Sequence, residues 1–107
     1  MGHFITMYIY NVTIQVENEI HLPWLEWMQR EHIPRVMATG CFTGCQLLRL
    51  LDSDETEGVT YAAQYFAATR EDCDRYVSGF APALRKELSD TWGEKFITFR
   101  SLMKVVN

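Results

Sequence analysis

Strand-like and helix-like hydrophobic patterns alternate along the chain in the order β-α-β-β-α-β, and this order constrains the fold more than any other feature. The predicted strands are Met7–Val16, Cys41–Leu51, Val59–Ala68 and Phe96–Val106. The predicted helices run from about His21 to Thr39 and from about Arg70 to Trp92. Such an order favours a four-stranded antiparallel sheet that carries both helices on one face.

This pattern predicts an α+β, ferredoxin-like fold in which the second face of the sheet has no helices over it. A chain of 107 residues has the size of one small domain. We therefore expect residues 7–107 to form a single domain. Residues 1–6 are expected to be a leading segment, either a tag remnant or a stretch that precedes an alternative start at Met7.

The composition excludes several classes of protein. Apolar residues make up 48% and charged residues 22% of the chain, which is typical of a globular domain rather than a disordered one. The net charge of −4 and the lack of clustered Lys and Arg argue against a nucleic-acid partner. The sequence contains no apolar run of membrane-spanning length and no export signal, so we expect a cytoplasmic protein without a membrane partner.

The three cysteines predict neither a disulfide nor a metal site. Cys41 and Cys45 lie in one predicted strand, where about 3.3 Å per residue separates them by roughly 13 Å, beyond disulfide reach. Cys73 lies alone at the start of a helix, without the further Cys or His ligands that zinc requires. We expect Cys41 and Cys45 to be small buried hydrophobic residues and all three thiols to be free, and we predict no metal and no cofactor.

Period-two alternation assigns the faces of the predicted strands. The apolar parity of the first strand, which should face the helices, comprises Tyr8, Tyr10, Val12, Ile14 and Val16. The helix-facing residues predicted for the other strands are Cys45, Leu47, Val59, Tyr61, Ala63, Tyr65, Ile97, Phe99 and Met103.

The face of the sheet without helices, which we call the open face, is predicted to mix uncharged polar side chains with large apolar ones. Its predicted members are Asn11, Thr13, Gln15, Phe42, Gln46, Leu48, Leu50, Gln64, Phe66, Phe96, Thr98, Arg100 and Leu102. A face in contact with water alone would usually carry more Lys and Glu. The mixture favours burial against the sheet of a second copy, with a polar cavity inside; alternatively, the amides are solvated or pair with one another across the strands.

From this face we predict two sets of site residues. The predicted ligand-binding residues are Asn11, Thr13, Gln46, Gln64, Thr98 and Arg100. The predicted homodimer interface residues are Phe42, Leu48, Phe66 and Leu102.

Proline residues distort both predicted helices. Pro34 lies within the first helix, where the missing N–H should kink or split the helix next to His32 and Ile33. Pro82 predicts another distortion in the middle of the second helix. Two kinked helices over a small sheet can open a cleft between helix and sheet, although a proline more often simply bends a helix to fit.

From Tyr8 to Val106 the chain resembles the dimeric α/β-barrel superfamily, in which two ferredoxin-like protomers press their sheets together. The run from Trp24 to Phe42, W-L-E-W-M-x-x-E-H-I-P-x-V-M-x-T-G-x-F, is similar to a small bacterial family within it that is known as a domain of unknown function. The superfamily includes antibiotic-biosynthesis monooxygenases, haem-degrading enzymes, lactone isomerases and non-enzymatic ligand-binding or stress proteins. The resemblance therefore implies a fold and a mode of assembly, but no activity.

A catalytic interpretation depends most on His32. Together with Pro34 it resembles a His-x-Pro at a helix bend near the pocket mouth of some superfamily members, where an imidazole can act as a general base or bind haem iron. Asn11 and Arg100 complete the candidate catalytic set, since the first and last strands are neighbours in this topology. We predict instead that His32 packs at the Pro34 bend, because no orienting partner for a base is recognisable from spacing.

Three functional classes follow from these observations. The favoured one is a dimeric binding or accessory module whose cavity holds a small, partly aromatic ligand without evident catalytic machinery. The first alternative is a cofactor-independent oxygenase or isomerase that uses Asn11, His32 and Arg100. The second alternative is a protein that serves only for sheet-to-sheet assembly. A closed pocket that gathers several of the predicted polar side chains would support the first two classes over the third.

Overall fold

The structure, a computed structural model, describes residues 7–107 as one sheet with helices packed on one of its faces. The elements are β1 (Tyr8–Val16), a 3-10 turn (Asn18–Ile20), α1 (His21–Trp27), a π-helical turn (Met28–His32), α2 (Ile33–Ala38), β2 (Gly44–Arg49), β3 (Val59–Ala67), α3 (Arg70–Gly79), α4 (Ala81–Trp92) and β4 (Phe96–Lys104). The predicted leading segment, residues 1–6, lies outside the described residues. Within residues 7–107, no helix is long and apolar enough to cross a membrane.

The four strands have the order β2-β3-β1-β4, and each pair of neighbours is antiparallel. The two central strands, β1 and β3, pair along their whole length, from Tyr8 opposite Ala67 to Val16 opposite Val59. Both are rich in β-branched and aromatic residues, which favour a strand that is buried on at least one side. The predicted ferredoxin-like α+β fold is thereby confirmed.

The core lies between the helices and the face of the sheet that carries the even-numbered residues of β1. Val16, Trp24 and Val36 have no exposed surface there. The alternation predicted for the two central strands is confirmed by the buried positions Tyr10, Val12, Ile14, Val16, Val59, Tyr61, Ala63 and Tyr65. Burial of a large apolar side chain contributes about 1.5–3 kcal/mol, so this layer is the main source of stability.

The second predicted helix is two helices. Thr69 caps α3, because its Oγ1 accepts a hydrogen bond from the backbone N–H of Asp72 at 3.2 Å. α3 ends at Gly79, and α4 begins at Ala81 with Pro82 in its first turn, where a missing N–H costs no hydrogen bond. The distortion predicted at Pro82 is therefore present as a break between α3 and α4.

Two residues near the start of β2 differ from their predicted environment. Phe42 is buried on the helix side, with its ring centroid 4.9 Å from that of Tyr76 and 5.3 Å from that of Tyr65, so its prediction as an open-face interface residue is wrong. The strand parity does not reach Phe42, because β2 begins only two residues later. Cys41 is buried as predicted, but Cys45 is exposed, because β2 lies at the edge of the sheet.

The faces of β4 are the reverse of those predicted. In its pairing with β1, Val16 lies opposite Phe96, Ile14 opposite Thr98, Val12 opposite Arg100 and Tyr10 opposite Leu102. Residues paired across antiparallel strands share a face, so these β4 residues lie on the helix side. Ile97 and Phe99, each 70% exposed, lie on the open face instead. The apolar parity of this strand thus belongs to the open face and not to the core.

Candidate functional site

A narrow cavity lies between the helices and the sheet, near the middle of the core. Its volume is about 20 Å³, room for about one water molecule. The residues that line it are Tyr10, Val12, Ile14, Met28, His32, Ala63, Tyr65, Tyr76, Leu84, Arg85, Leu88 and Arg100. Polar groups from both helical regions and from β4 therefore meet within an aromatic and aliphatic wall.

The backbone places His32 at this cavity by means of the π-helical turn that ends at it. Pro34 cannot donate a hydrogen bond, and in a regular α-helix its ring would press on the carbonyl four residues earlier. The turn before it is widened to the π form, which is most often found as a single turn at functional sites. The distortion predicted at Pro34 is thus confirmed, and it takes the form of a wider turn.

His32 is buried, with 8% of its surface exposed, and its ring stacks on Trp27 at a centroid distance of 5.2 Å. Among the described residues, its Nδ1 has no hydrogen-bond partner. Burial lowers the pKa of His32 from 6.5 to about 4; the carboxylate of Glu87 opposes this effect, whereas the charges of Arg35 and Arg100 add to it. At neutral pH the side chain is therefore an uncharged imidazole with one free ring nitrogen.

The two arginines at the cavity come from opposite walls. Arg85 projects from α4 and donates a hydrogen bond from its guanidinium to the Tyr10 hydroxyl at 3.1 Å. Arg100 projects from β4 on the helix side and donates to Thr98 Oγ1 at 2.9 Å. Within residues 7–107, neither guanidinium forms an ion pair with a carboxylate.

Tyrosine side chains form much of the cavity wall. The ring centroid of Tyr10 lies 5.4 Å from that of Tyr76 and 6.4 Å from that of Tyr65. Burial raises the pKa of the Tyr65 and Tyr76 hydroxyls above the usual value for tyrosine. Both hydroxyls therefore remain protonated, and each can donate a hydrogen bond at physiological pH.

The amides predicted for the open face form a row across the sheet rather than a pocket. Gln46 donates to Gln64 at 2.8 Å, and Gln64 donates to Asn11 at 3.3 Å. Asn11 donates in turn to Thr13 at 3.1 Å and to Ser101 at 3.4 Å. The amides therefore pair across the strands, as the alternative left open by the sequence has it; their burial against a second copy stays a prediction.

The sheet separates the predicted site residues into two groups. Asn11, Thr13, Gln46 and Gln64 lie on the open face, as do the predicted interface residues Leu48 and Phe66. Thr98, Arg100 and Leu102 lie on the helix side with His32, so their assignment to the open face is wrong. Asn11 therefore cannot share a site with His32 and Arg100. The binding and catalytic roles themselves stay predictions.

Arg85 is the cavity residue that the sequence interpretation missed. It lies on one stripe of α4 with Ala81, Leu84 and Leu88, at spacings of three and four residues. An arginine on an otherwise apolar helix stripe is the signal that identifies it. The tyrosines Tyr10, Tyr65 and Tyr76 carry no comparable signal, because buried aromatic residues are usual in a core.

Comparisons with known proteins agree with this fold. A search of curated proteins finds no significant match. The structure is similar to a putative antibiotic biosynthesis monooxygenase from Nitrosomonas europaea, with 13% identity, 94% of this chain and 93% of that chain covered, and a TM-score of 0.61. It is also similar to a dimeric ferredoxin-like protein from an uncultured marine organism, with 12% identity, coverage of 95% and 96%, and a TM-score of 0.55.

A third similar structure is that of the haem degrader MhuD from Mycobacterium tuberculosis with two haems bound in its active site. Its identity to this chain is 22%, with 94% of this chain and 96% of that chain covered and a TM-score of 0.58. At such identities the likeness shows the fold alone, and it confirms the predicted resemblance to dimeric α/β-barrel proteins. The family model described as a domain of unknown function, DUF4286, matches residues 7–106. The chain therefore belongs to the DUF4286 family.

Proposed function

We propose that this protein is a homodimeric small-molecule-binding protein whose ligand site is the cavity between the helices and the sheet of each protomer. The observation that carries this proposal is the convergence of His32, Arg85 and Arg100 on one aromatic cavity. Buried polar groups in native proteins almost always have partners, and a pocket with an apolar wall and a few convergent polar groups is the usual form of a ligand site. A ligand would supply a hydrogen-bond partner for His32 Nδ1, which has none among the described residues, and a charged partner for the two guanidinium groups.

The proposed dimer forms through the open face. Ile97 and Phe99 lie there on β4 with 70% of their surface exposed, together with Met103 on the same strand and Leu48 on the opposite edge strand, which are also exposed. An isolated protomer would expose this apolar surface to water, whereas a second copy would cover it. The amide row centred on Asn11 would then lie inside the interface. A ferredoxin-like protein described as dimeric is among the similar structures, which supports the proposal of a dimer.

Two alternative functions receive less support. A cofactor-independent oxygenase that combines Asn11 with His32 and Arg100 is disfavoured, because the sheet separates Asn11 from the other two. A role in assembly alone does not explain why polar side chains from separate elements meet in the core. The free thiols of the described cysteines agree with the cytoplasmic location that we propose.

Haem, which is bound by one of the similar structures, does not fit the cavity. The cavity has a volume of about 20 Å³, so a small ligand already requires some of its walls, among them the exposed Arg85 side chain, to move aside. A porphyrin would require the helices to separate from the sheet. His32 therefore is not proposed as a haem ligand.

The proposal is tested by filling the cavity. Ala63 is buried in the cavity wall, so Ala63→Val adds two carbon atoms where there is room for about one water molecule. Small aromatic and aliphatic molecules would be screened against the wild type by intrinsic tryptophan fluorescence, to which Trp27, stacked on His32, should contribute a ligand-dependent signal.

We expect a ligand found in this screen to bind at least about tenfold more weakly to Ala63→Val, because overfilling a cavity displaces its occupant. Ala83→Val adds the same two carbon atoms on the exposed side of α4 and should leave binding unchanged. Equal loss of binding in both variants, or in neither, would contradict the assignment of the site.

A further inference from the structure

The cavity carries a positive charge that its surroundings do not neutralise. Arg85 and Arg100 both line it, and in the described part of the chain neither pairs with a carboxylate. The carboxylate of Glu87 acts on His32, but it pairs with Arg35, and neither Glu87 nor Arg35 lines the cavity. This is unexpected in a chain whose net charge is −4.

The charges of both guanidinium groups act on the hydroxyl of Tyr76. Burial raises the pKa of Tyr76, and the charges of Arg85 and Arg100 both oppose that rise. The side chains approach from α4 and from β4, so they reach the space in front of Tyr76 from two directions. Two cations in a partly buried site repel each other and lose hydration, unless an anion lies with them.

From these observations, and resting on the proposed function, we infer that the ligand is a small ionised carboxylic acid with an apolar body, whose carboxylate is held by Arg85 and Arg100. The planar guanidinium matches a carboxylate with two parallel N–H···O hydrogen bonds. The aromatic and aliphatic wall of the cavity favours an acid with an apolar body over a phosphate ion, which has none. The apolar body would lie against Leu84 and the tyrosine rings.

Ligand entry has a defined first step in this arrangement. The Arg85 side chain, which is exposed, lines the cavity and donates a hydrogen bond to the Tyr10 hydroxyl. When the carboxylate arrives, Arg85 exchanges a neutral hydroxyl acceptor for a charged one, and hydrogen bonds to charged groups are about twice as strong. The imidazole of His32, which is uncharged, donates one further hydrogen bond to the same carboxylate.

The test compares acids with their amides, which have nearly the same shape and no charge. The probes are benzoate with benzamide, phenylacetate with phenylacetamide, and hexanoate with hexanamide, titrated at neutral pH by tryptophan fluorescence or calorimetry. We expect each bound acid to have a Kd at least about tenfold lower than its amide, because hydrogen bonds from the guanidinium groups to a charged acceptor are stronger than those to a neutral amide. The preference should shrink as salt concentration rises.

Variants assign the preference to the two arginines. Arg100→Gln and Arg85→Gln should each reduce the acid-to-amide ratio severalfold, and the double variant should bring it close to one. Arg30→Gln, which removes an exposed arginine paired with Glu26 on the outer helix surface, should leave the ratio unchanged. Circular dichroism checks that the variants fold. If Arg100→Gln does not fold, the salt dependence of acid binding to the wild type, together with Arg85→Gln, still tests whether charge determines the preference for acids.

The outcomes separate the inference from the proposed function. If acids and amides bind equally well, the carboxylate inference is wrong and the binding function stands. If the preference for acids persists in the double variant, the assignment to Arg85 and Arg100 is wrong. If none of the six probes binds to the wild type, and the wider screen of small aromatic and aliphatic molecules against the wild type also finds no ligand, both proposals fail together.

Discussion

The buried His32 imidazole should make the protein sensitive to mild acid in a definite pH range. Its pKa is about 4 in the folded protein, against 6.5 for an unburied histidine, and burial is the main cause. As the pH falls through 6.5, the unfolded chain takes up a proton that the folded protein does not bind. Protonation therefore favours the unfolded state, and the contribution to stability is lost between about pH 6.5 and pH 4.

The size of the effect follows from the two pKa values. Each pH unit between 6.5 and about 4 costs about 1.4 kcal/mol, so the total loss is about 3 kcal/mol. Below about pH 4 both states bind the proton and this contribution becomes constant. A loss of this size is a large part of the 5–15 kcal/mol, roughly, by which native proteins are stable.

The assay is urea unfolding, followed by circular dichroism at a series of pH values, for the wild type and for His32→Gln. The difference in unfolding free energy between the two should change by about 3 kcal/mol from neutral pH to pH 4, in favour of the variant at low pH. Carboxylates titrate in both proteins, so they cancel in this difference. Val36→Ala is a control that destabilises the core but keeps His32, and it should retain the pH dependence of the wild type. A difference that is independent of pH would refute the assignment of the effect to a buried, neutral His32.

Two further predictions concern assembly and the thiols. Phe99→Glu places a charge on the open face, at a cost of several kcal/mol, and should convert the proposed dimer into a monomer, as measured by light scattering. Leu22→Glu, on the exposed side of α1, should leave the dimer intact. A wild type that is monomeric at micromolar concentration would contradict the proposed interface. A thiol reagent should modify Cys45 rapidly in the native protein, and Cys41 and Cys73 only when the protein unfolds. Mass spectrometry under non-reducing conditions should find no disulfide between Cys41 and Cys45. Rapid modification of all three thiols would contradict the burial of Cys41 and Cys73.

The two central strands could be predicted from the sequence because one of the two parities in each strand is apolar throughout. In β1, apolar residues alternate strictly with Asn11, Thr13 and Gln15, and burial follows that alternation. In β3 the odd-numbered residues from Val59 to Ala67 are all apolar and buried, although Ala62 and Phe66 belong to the other parity. Where one face is buried and the other is polar, a period of two is sufficient to fix the register.

The last strand could not be assigned by the same rule, because its apolar residues do not mark the core. Ile97 and Phe99 share a parity that looks buried, yet they lie on the open face, and Thr98 and Arg100 lie on the helix side. Only the pairing with β1 decides between the two assignments. Polar residues that face a core are a local conflict of the kind found at functional sites, and here the conflict occurs at the candidate cavity.

The candidate site was only partly accessible from sequence for a related reason. His32 and Arg100 were singled out, but placing them together required the β4 register and the π-helical turn, which depend on tertiary packing. Arg85 was hidden by a helix break, because the sequence predicts one helix from about Arg70 to Trp92, whereas α3 ends at Gly79 and α4 begins at Ala81. Because α4 begins a new helix next to Pro82, it has its own apolar stripe of Ala81, Leu84 and Leu88, and Arg85 lies on that stripe.

The π-helical turn also bears on how members of the family should be aligned. A π turn closes its hydrogen bonds over one residue more than an α turn, so it is equivalent to a single-residue insertion in an otherwise regular helix. Loss of one residue between Trp24 and Pro34 would restore an unbroken α-helix and rotate every preceding side chain by about 100° relative to α2. A one-residue gap in this stretch is thus not a neutral length change, because α1 and α2 would no longer both direct the same side chains toward the core.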